Sequence, residues 1–163
     1  MSDQATVQRA INRRSLTRNM ELNVVVFALL LNFPWEIAQS RLFAGMADRP
    51  FINAIQGCAQ AALGDAVIML LAYWTVAGIA GSRYWILAPS GRRLFLFLAI
   101  GVFTAAAIES LATRGYWVQT WTYSPAMPVV PVIGVGIVPL LQWIIVPLLV
   151  VWFVRRQLSA CKE

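Results

Sequence analysis

Four long apolar stretches, separated by short polar segments, dominate the pattern of the chain. They cover residues 22–43, 55–80, 94–112 and 132–154, and a helix of about 20 residues is enough to cross the hydrocarbon core of a bilayer. Helices satisfy their own backbone hydrogen bonds in lipid, and apolar runs of this length are typical of them. The pattern therefore predicts an all-α integral membrane protein, a single four-helix transmembrane domain over residues 1–163 that begins with a basic tail at residues 1–20.

Composition agrees with the hydropathy pattern. Of 163 residues, 60% are hydrophobic and 12% are charged, and the mean hydropathy is +0.68. Soluble domains hold roughly 45 to 50% apolar residues. A water-soluble core is therefore excluded, and the four spans leave room for one domain only, since they use half of the chain.

Positive charge is distributed unevenly between the two sides of the predicted spans. One side carries ten Lys and Arg residues, in the N-terminal tail, the second connector and the C-terminus, whereas the other carries three, Arg41, Arg49 and Arg114. The positive-inside rule places the richer side in the cytoplasm. We therefore expect a multi-pass protein of the cell inner (plasma) membrane with both termini cytoplasmic. The net charge of +6 is attributed to this topology, and nucleic acid is excluded as a partner.

The third connector differs from the other two in composition. It is rich in aromatic residues from Tyr116 to Tyr123 and then in proline, at positions 125, 128, 131 and 139. Proline removes a backbone donor and fixes φ, so this segment cannot form a regular helix or a central strand. We predict a Trp/Pro-rich outer loop between helices 3 and 4 that caps the outer face of the bundle. Gly134 and Gly136 indicate a turn at the mouth of the fourth helix.

Three of the seven acidic residues, Glu36, Asp65 and Glu109, fall inside predicted spans. Each costs about 2.5 kcal/mol or more on insertion, so such a residue is a functional candidate by default. Counted along helices that rise about 1.5 Å per residue, all three lie in the outer half of the bilayer. Gln142 of the fourth span falls at a similar depth. Each helix thus offers one polar side chain to a common layer.

The spacing of these residues places them on definite helix faces. Asn32, Glu36 and Gln39 follow i, i+4, i+7 and form one stripe on the first helix. On the second helix, Gly57 and Ala61 precede Asp65 at intervals of four positions. On the third helix, Gly101 and Ala105 precede Glu109 in the same way. On both helices the acid thus ends a stripe of small residues. Small residues let membrane helices approach closely. We expect the acids to point at neighbouring helices and away from lipid.

A purely structural interpretation stays open beside this one. Asn32, Gln39 and Gln142 would then form interhelical hydrogen bonds, and Arg41 or Arg114 would reach back to neutralise a carboxylate. Three acids at one depth favour a site over this alternative.

Several kinds of site are excluded by composition. The chain has no histidine, which excludes a histidine-based nucleophile triad, histidine-ligated haem and the usual zinc sites. Cys58 and Cys161 fall near opposite faces of the bilayer and cannot pair within one chain. We therefore predict no metal site and no cofactor. A carboxylate-bound hard cation is the weaker alternative, because three acids on three helices carry no ligand spacing.

Aromatic side chains surround the predicted acidic layer. Those assigned to a substrate-contacting rim are Trp35, Trp117, Trp121, Tyr123 and Trp143, although an interfacial belt accounts for some of them. Aromatic faces beside an acid can stabilise a developing carbocation. Three further tryptophans are interpreted as belt residues of the inner side: Trp74, Trp85 and Trp152.

The segment Asn32-Phe33-Pro34-Trp35-Glu36 resembles the Asn-x-x-Trp-Glu element of the integral-membrane terpene cyclases of meroterpenoid pathways. In that family the glutamate is taken as the proton donor, so the resemblance implies this role for Glu36. The chain is also similar to small bacterial membrane proteins that carry Trp-Glu early and Gly-Asp in the second span.

The leading hypothesis is a membrane-embedded protein that binds or converts an apolar lipid or isoprenoid in an acidic pocket in the outer half of the bilayer. Glu36 would donate a proton, and Asp65 and Glu109 would tune it or accept the proton, in an acid-catalysed cyclisation, isomerisation or hydration. Other substrate contacts would come from the aromatic rim and from three amides, Asn32, Gln39 and Gln142.

Two other functions are compatible with the same pattern. One is an accessory or structural subunit of a membrane complex, in which the polar residues serve as docking contacts. The other is a proton-coupled small transporter, in which the acids relay protons. A bundle this small buries little surface, so a homodimer or a larger complex is expected as a further partner.

Overall fold

The computed structural model describes residues 19–118 and 120–160 and consists of helices joined by connectors. Four long helices follow one another along the chain: α1 (Met20–Gln39), α2 (Phe51–Ala80), α3 (Gly91–Thr113) and α4 (Ile137–Ala160). A 3-10 turn, Ser40–Leu42, extends α1, and a second one, Arg83–Leu87, lies between α2 and α3. The four long helices are apolar enough to cross a membrane, so the predicted all-α membrane architecture is confirmed.

Local sequence signals set several helix ends. The Asn19 side chain caps α1 by accepting a hydrogen bond from the Leu22 amide at 3.2 Å. Ser90 caps α3 in the same way through the Arg93 amide at 3.4 Å. α2 ends before Gly81, whose φ of 64° lies in the left-handed region that glycine adopts without strain.

The helices pack side by side as a ring, in which α1 and α3 each contact both α2 and α4. Asn19, the second connector and the end of α4 lie at one end of the bundle, which we call the terminal face. There Arg83 pairs with Glu21, and the Arg155 guanidinium donates to the Leu87 carbonyl oxygen at 3.1 Å. The opposite end, where the first and third connectors meet, is the loop face.

Backbone hydrogen bonds join the first connector to the third at the loop face. The Ala44 amide donates to the Thr122 carbonyl oxygen at 2.9 Å. The Ser124 amide donates to the Leu42 carbonyl oxygen, also at 2.9 Å. The aromatic segment of the third connector therefore covers this end of the bundle. That the loop face is the outer one stays a prediction.

The fourth helix begins later than the sequence predicts. Hydropathy places its start at residue 132, but residues 131–136 form a turn and α4 begins at Ile137. The turn contains Gly134 at φ 68°, and the Gly134 amide donates to the Val130 carbonyl oxygen at 2.8 Å. Hydropathy could not separate turn from helix because the residues of the turn are as apolar as the helix that follows. The turn expected from the glycine pair is present.

Trp85 is a core residue, so its interpretation as an inner belt residue is wrong. Its side chain is 1% exposed, because the 3-10 turn brings its ring between Tyr73 of α2 and Phe97 of α3. Its indole nitrogen donates to the Tyr73 carbonyl oxygen at 3.2 Å. Trp74 and Trp152 are about half exposed, as belt residues are expected to be.

Candidate functional site

Gln142 of α4 lies at the centre of a polar cluster inside the bundle. Its side-chain nitrogen, Nε2, is close to three acceptor oxygens, which are Asn32 Oδ1 at 2.9 Å, Glu36 Oε1 at 2.9 Å and Asp65 Oδ2 at 2.8 Å. These four side chains belong to α1, α2 and α4. They therefore meet at one point, as their similar predicted depth implies.

The side-chain amides of Asn32 and Gln39 hold the cluster in place. Asn32 Nδ2 donates to the Ala28 carbonyl oxygen at 2.9 Å. Gln39 Nε2 donates to Glu36 Oε1 at 2.8 Å and to Gln142 Oε1 at 2.9 Å. Asn32, Gln39 and Gln142 are all buried. Buried polar groups are hydrogen-bonded in stable structures, so these contacts fix the geometry of the cluster.

The cluster contains more acceptors than Gln142 can serve. An amide nitrogen carries two hydrogens, yet three oxygens lie within hydrogen-bonding distance of Gln142 Nε2. The carboxyl groups of Glu36 and Asp65 thus share one neighbouring nitrogen. Gln39 Nε2 also donates to Glu36 Oε1, so the two hydrogens of Gln142 remain for Asn32 Oδ1 and Asp65 Oδ2. The amides therefore hold one oxygen of each carboxyl group, Glu36 Oε1 and Asp65 Oδ2.

The third acid, Glu109 of α3, has partners of its own in the third connector. Its Oε2 accepts hydrogen bonds from Trp121 Nε1 at 3.0 Å and from the Tyr123 hydroxyl. The Tyr123 oxygen accepts in turn from the Gly136 amide at 3.0 Å. Burial and the hydrogen bond to Glu109 both raise the pKa of the Tyr123 phenol, so this group keeps its proton at neutral pH. These contacts fasten the connector to α3 beside the acid.

All three acids line one cavity of about 1260 Å³ in the half of the bundle nearest the loop face. Typical ligand pockets enclose roughly 300 to 1,000 Å³. Small and apolar side chains from α2 and α3 and aromatic ones from the connector and α4 form much of the wall: Gly57, Ala61, Gly64, Ile68, Ala105, Ala112, Trp117, Trp121 and Trp143. An apolar space with a few placed carboxyl groups suits an apolar ligand that reacts at one position.

No cation neutralises these acids within the part of the chain that the structure describes. In residues 19–118 and 120–160, the one ion pair joins Arg83 to Glu21 at the terminal face. Arg114, expected as a partner in the structural interpretation, donates instead to Ser110 Oγ and to the Ile133 carbonyl oxygen at 3.3 Å. The interhelical hydrogen bonds of that interpretation are present, so the same amides both join helices and position carboxyl groups.

The eleven predicted site residues fall in one region and form two layers. Eight of them line the cavity: Glu36, Gln39, Asp65, Glu109, Trp117, Trp121, Gln142 and Trp143. The other three lie behind these, where Asn32 contacts Gln142, Tyr123 contacts Glu109, and Trp35 Nε1 donates to Gln39 Oε1 at 3.3 Å. Asn32, Trp35 and Tyr123 therefore support the lining side chains and are not part of the wall.

The two small-residue stripes have opposite surroundings. A Cβ added to Gly101 would lie 2.5 Å from Trp143 Cε3, so this glycine makes room for the indole ring of α4 against α3. A Cβ added to Gly57 would have no atom within 4 Å. The close approach expected at this position of α2 is therefore wrong, because the helix borders the cavity there and not a neighbouring helix.

Some lining residues are not predicted by the sequence pattern. Gly64 lies in the wall beside Asp65, and the Gly-Asp pair in the sequence could have indicated that it belongs to the site. Cys58 is buried in the same wall, and its spacing from Ala61 and Asp65 would have placed it close to the stripe. Arg49 of the first connector borders the cavity at the loop face. Nothing in the periodicity of the chain indicates that contact.

Within the described ranges, no group of three or more His, Cys, Asp or Glu side chains is arranged to hold a metal ion. Comparison of the chain with protein-family models, with curated proteins and with solved structures finds no match. The function is therefore inferred from the chemistry of the site.

Proposed function

We propose that the protein binds an unsaturated apolar lipid, of isoprenoid type, and transfers a proton to it in the cavity. The observation that supports this most strongly is the convergence of carboxyl groups from three helices on one large cavity with mostly apolar walls. A positioned acid beside an apolar surface can protonate a weakly basic group that bulk water leaves unchanged.

Glu36 is the proposed proton donor. Glu36 and Asp65 both contact the side-chain nitrogen of Gln142. Two carboxylates at such a short distance repel each other, so it is favourable for the pair to retain one proton. Gln39 and Gln142 both donate to Oε1 of Glu36. This leaves Oε2 as the oxygen that carries the proton toward a ligand. Asn32 and Gln142 act in this proposal as positioning residues for the acids.

The proposed step is redox-neutral. The π electrons of an alkene form a C–H bond with the Glu36 proton, which leaves a carbocation on the ligand and a carboxylate on Glu36. Loss of a proton from a neighbouring carbon to Asp65 or Glu109 then gives an isomer. A ring forms if a second double bond of the same chain attacks first, and an alcohol forms if water attacks. The aromatic faces of Trp121 and Trp143 in the wall would stabilise the cation.

The segment from Asn32 to Glu36 supports the same assignment. It resembles the Asn-x-x-Trp-Glu element of integral-membrane terpene cyclases, in which the glutamate is taken as the proton donor. Asn32 and Glu36 lie one helical turn apart on α1 and contact the same nitrogen of Gln142. The spacing of the element thus places an amide and an acid beside each other at the cavity.

We further infer that the loop face is the outer face of the cell inner (plasma) membrane and that both termini are cytoplasmic. Five described arginines lie at the terminal face, Arg83, Arg92, Arg93, Arg155 and Arg156, against three at the loop face, Arg41, Arg49 and Arg114. The arginines of residues 1–18 and Lys162 lie outside the described residues. A C-terminal green fluorescent protein fusion should fluoresce and an alkaline phosphatase fusion should be inactive; the reverse pattern would invert the topology.

A proton-coupled transporter has less support. It would need a polar path from the cavity to the terminal face. That half of the core is filled by buried apolar and aromatic side chains, among them Met69, Tyr73, Val76, Trp85 and Phe97. An accessory subunit would not require a cavity lined by acids.

The substitution Glu36→Gln tests the proposed function, with Glu21→Gln as the matched control. Both change one glutamate of α1, but Glu21 lies at the terminal face and pairs with Arg83. Wild type, variant and control are purified at equal folded yield, and retained lipids and products formed from added polyprenyl alcohols are measured by mass spectrometry. General acid catalysis contributes roughly 10²- to 10⁴-fold, so product formation should fall by about that factor in Glu36→Gln alone.

Two results of that experiment would count against the proposal. Equal product formation by Glu36→Gln and wild type would remove Glu36 from the role of donor. Retention of bulk phospholipid only, identical in all three proteins, would favour the accessory-subunit function instead.

A further inference from the structure

The cavity is not confined to the inside of the bundle. Its wall on α2 includes Asp65, which faces the core, and also Leu63 and Val67. With about 100° of rotation per residue, Leu63 and Val67 lie about 160° around the helix from Asp65. These two side chains are 55% and 56% exposed. The wall therefore continues from the core side of α2 to the side that faces the surrounding membrane.

The space between α2 and α3 explains this continuation. Near the terminal face the two helices are joined through the Trp85 ring, which contacts Tyr73 and Phe97. Nearer the loop face, Ala61 and Gly64 of α2 and Ile108 and Ala112 of α3 line the cavity. A Cβ added to Gly64 would meet no atom within 4 Å. The two helices are thus separated by a gap in that half of the bundle.

We propose that this gap, bordered by Ala61 and Gly64 of α2 and by Ile108 and Ala112 of α3, is a lateral portal for a lipid chain. The inference rests on the proposed function and names how its substrate arrives. The occupant is an unsaturated isoprenoid chain that enters sideways from the bilayer. Its reacting double bond reaches Glu36 and Asp65 while the rest of the molecule remains in lipid.

Two observations favour entry from lipid over entry from water. The four residues that define the portal are apolar, with Gln60 of α2 as a polar neighbour in the same wall, and an apolar chain that passes between the four avoids exposure to water, which costs about 25 cal/mol for each Å². The loop face is covered by the two connectors, which are joined to each other and to Glu109 by hydrogen bonds. Arg49 also borders the cavity at the loop face, and it is a charged and exposed border for an isoprenoid chain.

The portal can be narrowed without changing any acid or hydrogen-bonding residue. Gly64→Leu places a side chain in the gap. Gly78→Leu is the matched control, because Gly78 also lies on α2, is exposed, has no atom within 4 Å of an added Cβ and does not line the cavity. Ile108→Trp narrows the same gap from α3, so the test does not depend on one variant that fails to fold.

The experiment uses the full chain in lipid nanodiscs with a farnesol analogue that carries a photoreactive diazirine. The probe is supplied either in the bilayer or bound to cyclodextrin in the aqueous phase, and cross-linked peptides are mapped by mass spectrometry. With the probe in the bilayer, cross-links to Trp143 and to residues around Asp65 should form in wild type and Gly78→Leu. A larger side chain in the gap obstructs the lipid chain, so these cross-links should fall about tenfold in Gly64→Leu and Ile108→Trp, which corresponds to about 1.4 kcal/mol.

The outcomes separate the portal from the proposed function. Cross-linking at wild-type level in both folded portal variants overturns the portal but leaves the proposed function in place. Faster cross-linking from cyclodextrin than from the bilayer also overturns it, because the chain would then enter from water. Absence of cavity cross-links in wild type under either delivery overturns both. Loss of cross-linking in Gly64→Leu and Ile108→Trp, but not in wild type or Gly78→Leu, supports lateral entry.

Discussion

The side-chain nitrogen of Gln142 in α4 lies 2.8 Å from the Asp65 carboxylate in α2, which is 77 positions earlier in the chain. The same nitrogen lies 2.9 Å from Glu36 of α1. One neutral side chain therefore fixes two acids from different helices relative to each other. Removing it should affect the packing of the bundle and the geometry of the site together.

Gln142→Leu should destabilise the protein, because the buried Asn32 Oδ1 and the Asp65 carboxyl group lose their donor and Gln39 Nε2 loses one of its two acceptors. An unsatisfied buried polar group costs about 1 to 3 kcal/mol, so we expect a loss of about 2 kcal/mol or more. Gln157→Leu is the control, since Gln157 lies on the same helix and is exposed. The measurement is unfolding in detergent followed by circular dichroism. Equal stability of the two variants would mean that the cluster does not hold the helices.

Trp85→Ala should lower stability by about 3 to 5 kcal/mol, as expected when a large aromatic is removed from a packed core. Its ring is buried against Tyr73 and Phe97. Trp74→Ala changes a half-exposed residue one position from Tyr73 and should cost much less. Chemical denaturation in mixed micelles compares the two variants. A larger loss for Trp74→Ala would restore the belt interpretation of Trp85.

Gly101→Ala and Gly78→Ala should change stability in opposite directions. The new methyl group at position 101 would lie 2.5 Å from the Trp143 ring, so the ring must move, at a cost of about 1 to 3 kcal/mol. Position 78 offers open space, and replacing glycine by alanine within a helix stabilises by about 0.5 to 1 kcal/mol. Thermal unfolding of the two variants checks the sign. A gain of stability in both variants would show that the Trp143 ring is not held against α3.

Tyr123→Phe should remove a pH-dependent part of the stability. The folded protein holds the Tyr123 proton more tightly than the unfolded chain does, because burial and the Glu109 hydrogen bond raise the pKa of the phenol. The stability that the Tyr123 phenol contributes is therefore complete below a pH of about 10, which is the ordinary pKa of a phenol. This stability is lost as the pH rises through the raised pKa. The stability difference between wild type and Tyr123→Phe, measured by unfolding from pH 7 to pH 12, should shrink as the pH rises above about 10.

The exposed Tyr116 of the same connector provides the control for that measurement. Tyr116→Phe should leave the alkaline stability profile of the protein unchanged. A Tyr123→Phe difference that stays constant across the whole pH range would show that the phenol does not donate to Glu109.

Hydropathy and helical period were enough to predict the four helices and the polar layer. Lipid requires long apolar runs, and the i, i+4, i+7 spacing of Asn32, Glu36 and Gln39 directs them to one side of α1. The same rules could not distinguish Gly57, which borders open space, from Gly101, which contacts Trp143. Both stripes have the same composition, and only the angle between helices decides what lies opposite.

Other features depend on contacts between distant parts of the chain. The pairing of Phe43 with Tyr123 joins two connectors whose sequences contain no mutual signal. Trp85 is of a residue type that occurs both in interfacial belts and in cores, so its position could not be read from its identity. The space beside the polar residues depends on how such distant segments pack, which is why the sequence indicated the polar residues but not the cavity.

The hydrogen bonds at the loop face alternate along one short segment. Trp121 and Tyr123 donate to Glu109, while the intervening Thr122 and the following Ser124 bond to the backbone after α1, at Ala44 and Leu42. Such interleaved contacts break and form as one cooperative unit. The charge on Glu109 and the attachment of the end of α1 are therefore thermodynamically linked, and the linkage is reciprocal. A ligand that displaces the donors of Glu109 loosens the end of α1, and whatever fastens that end of α1 makes Glu109 harder for a ligand to reach.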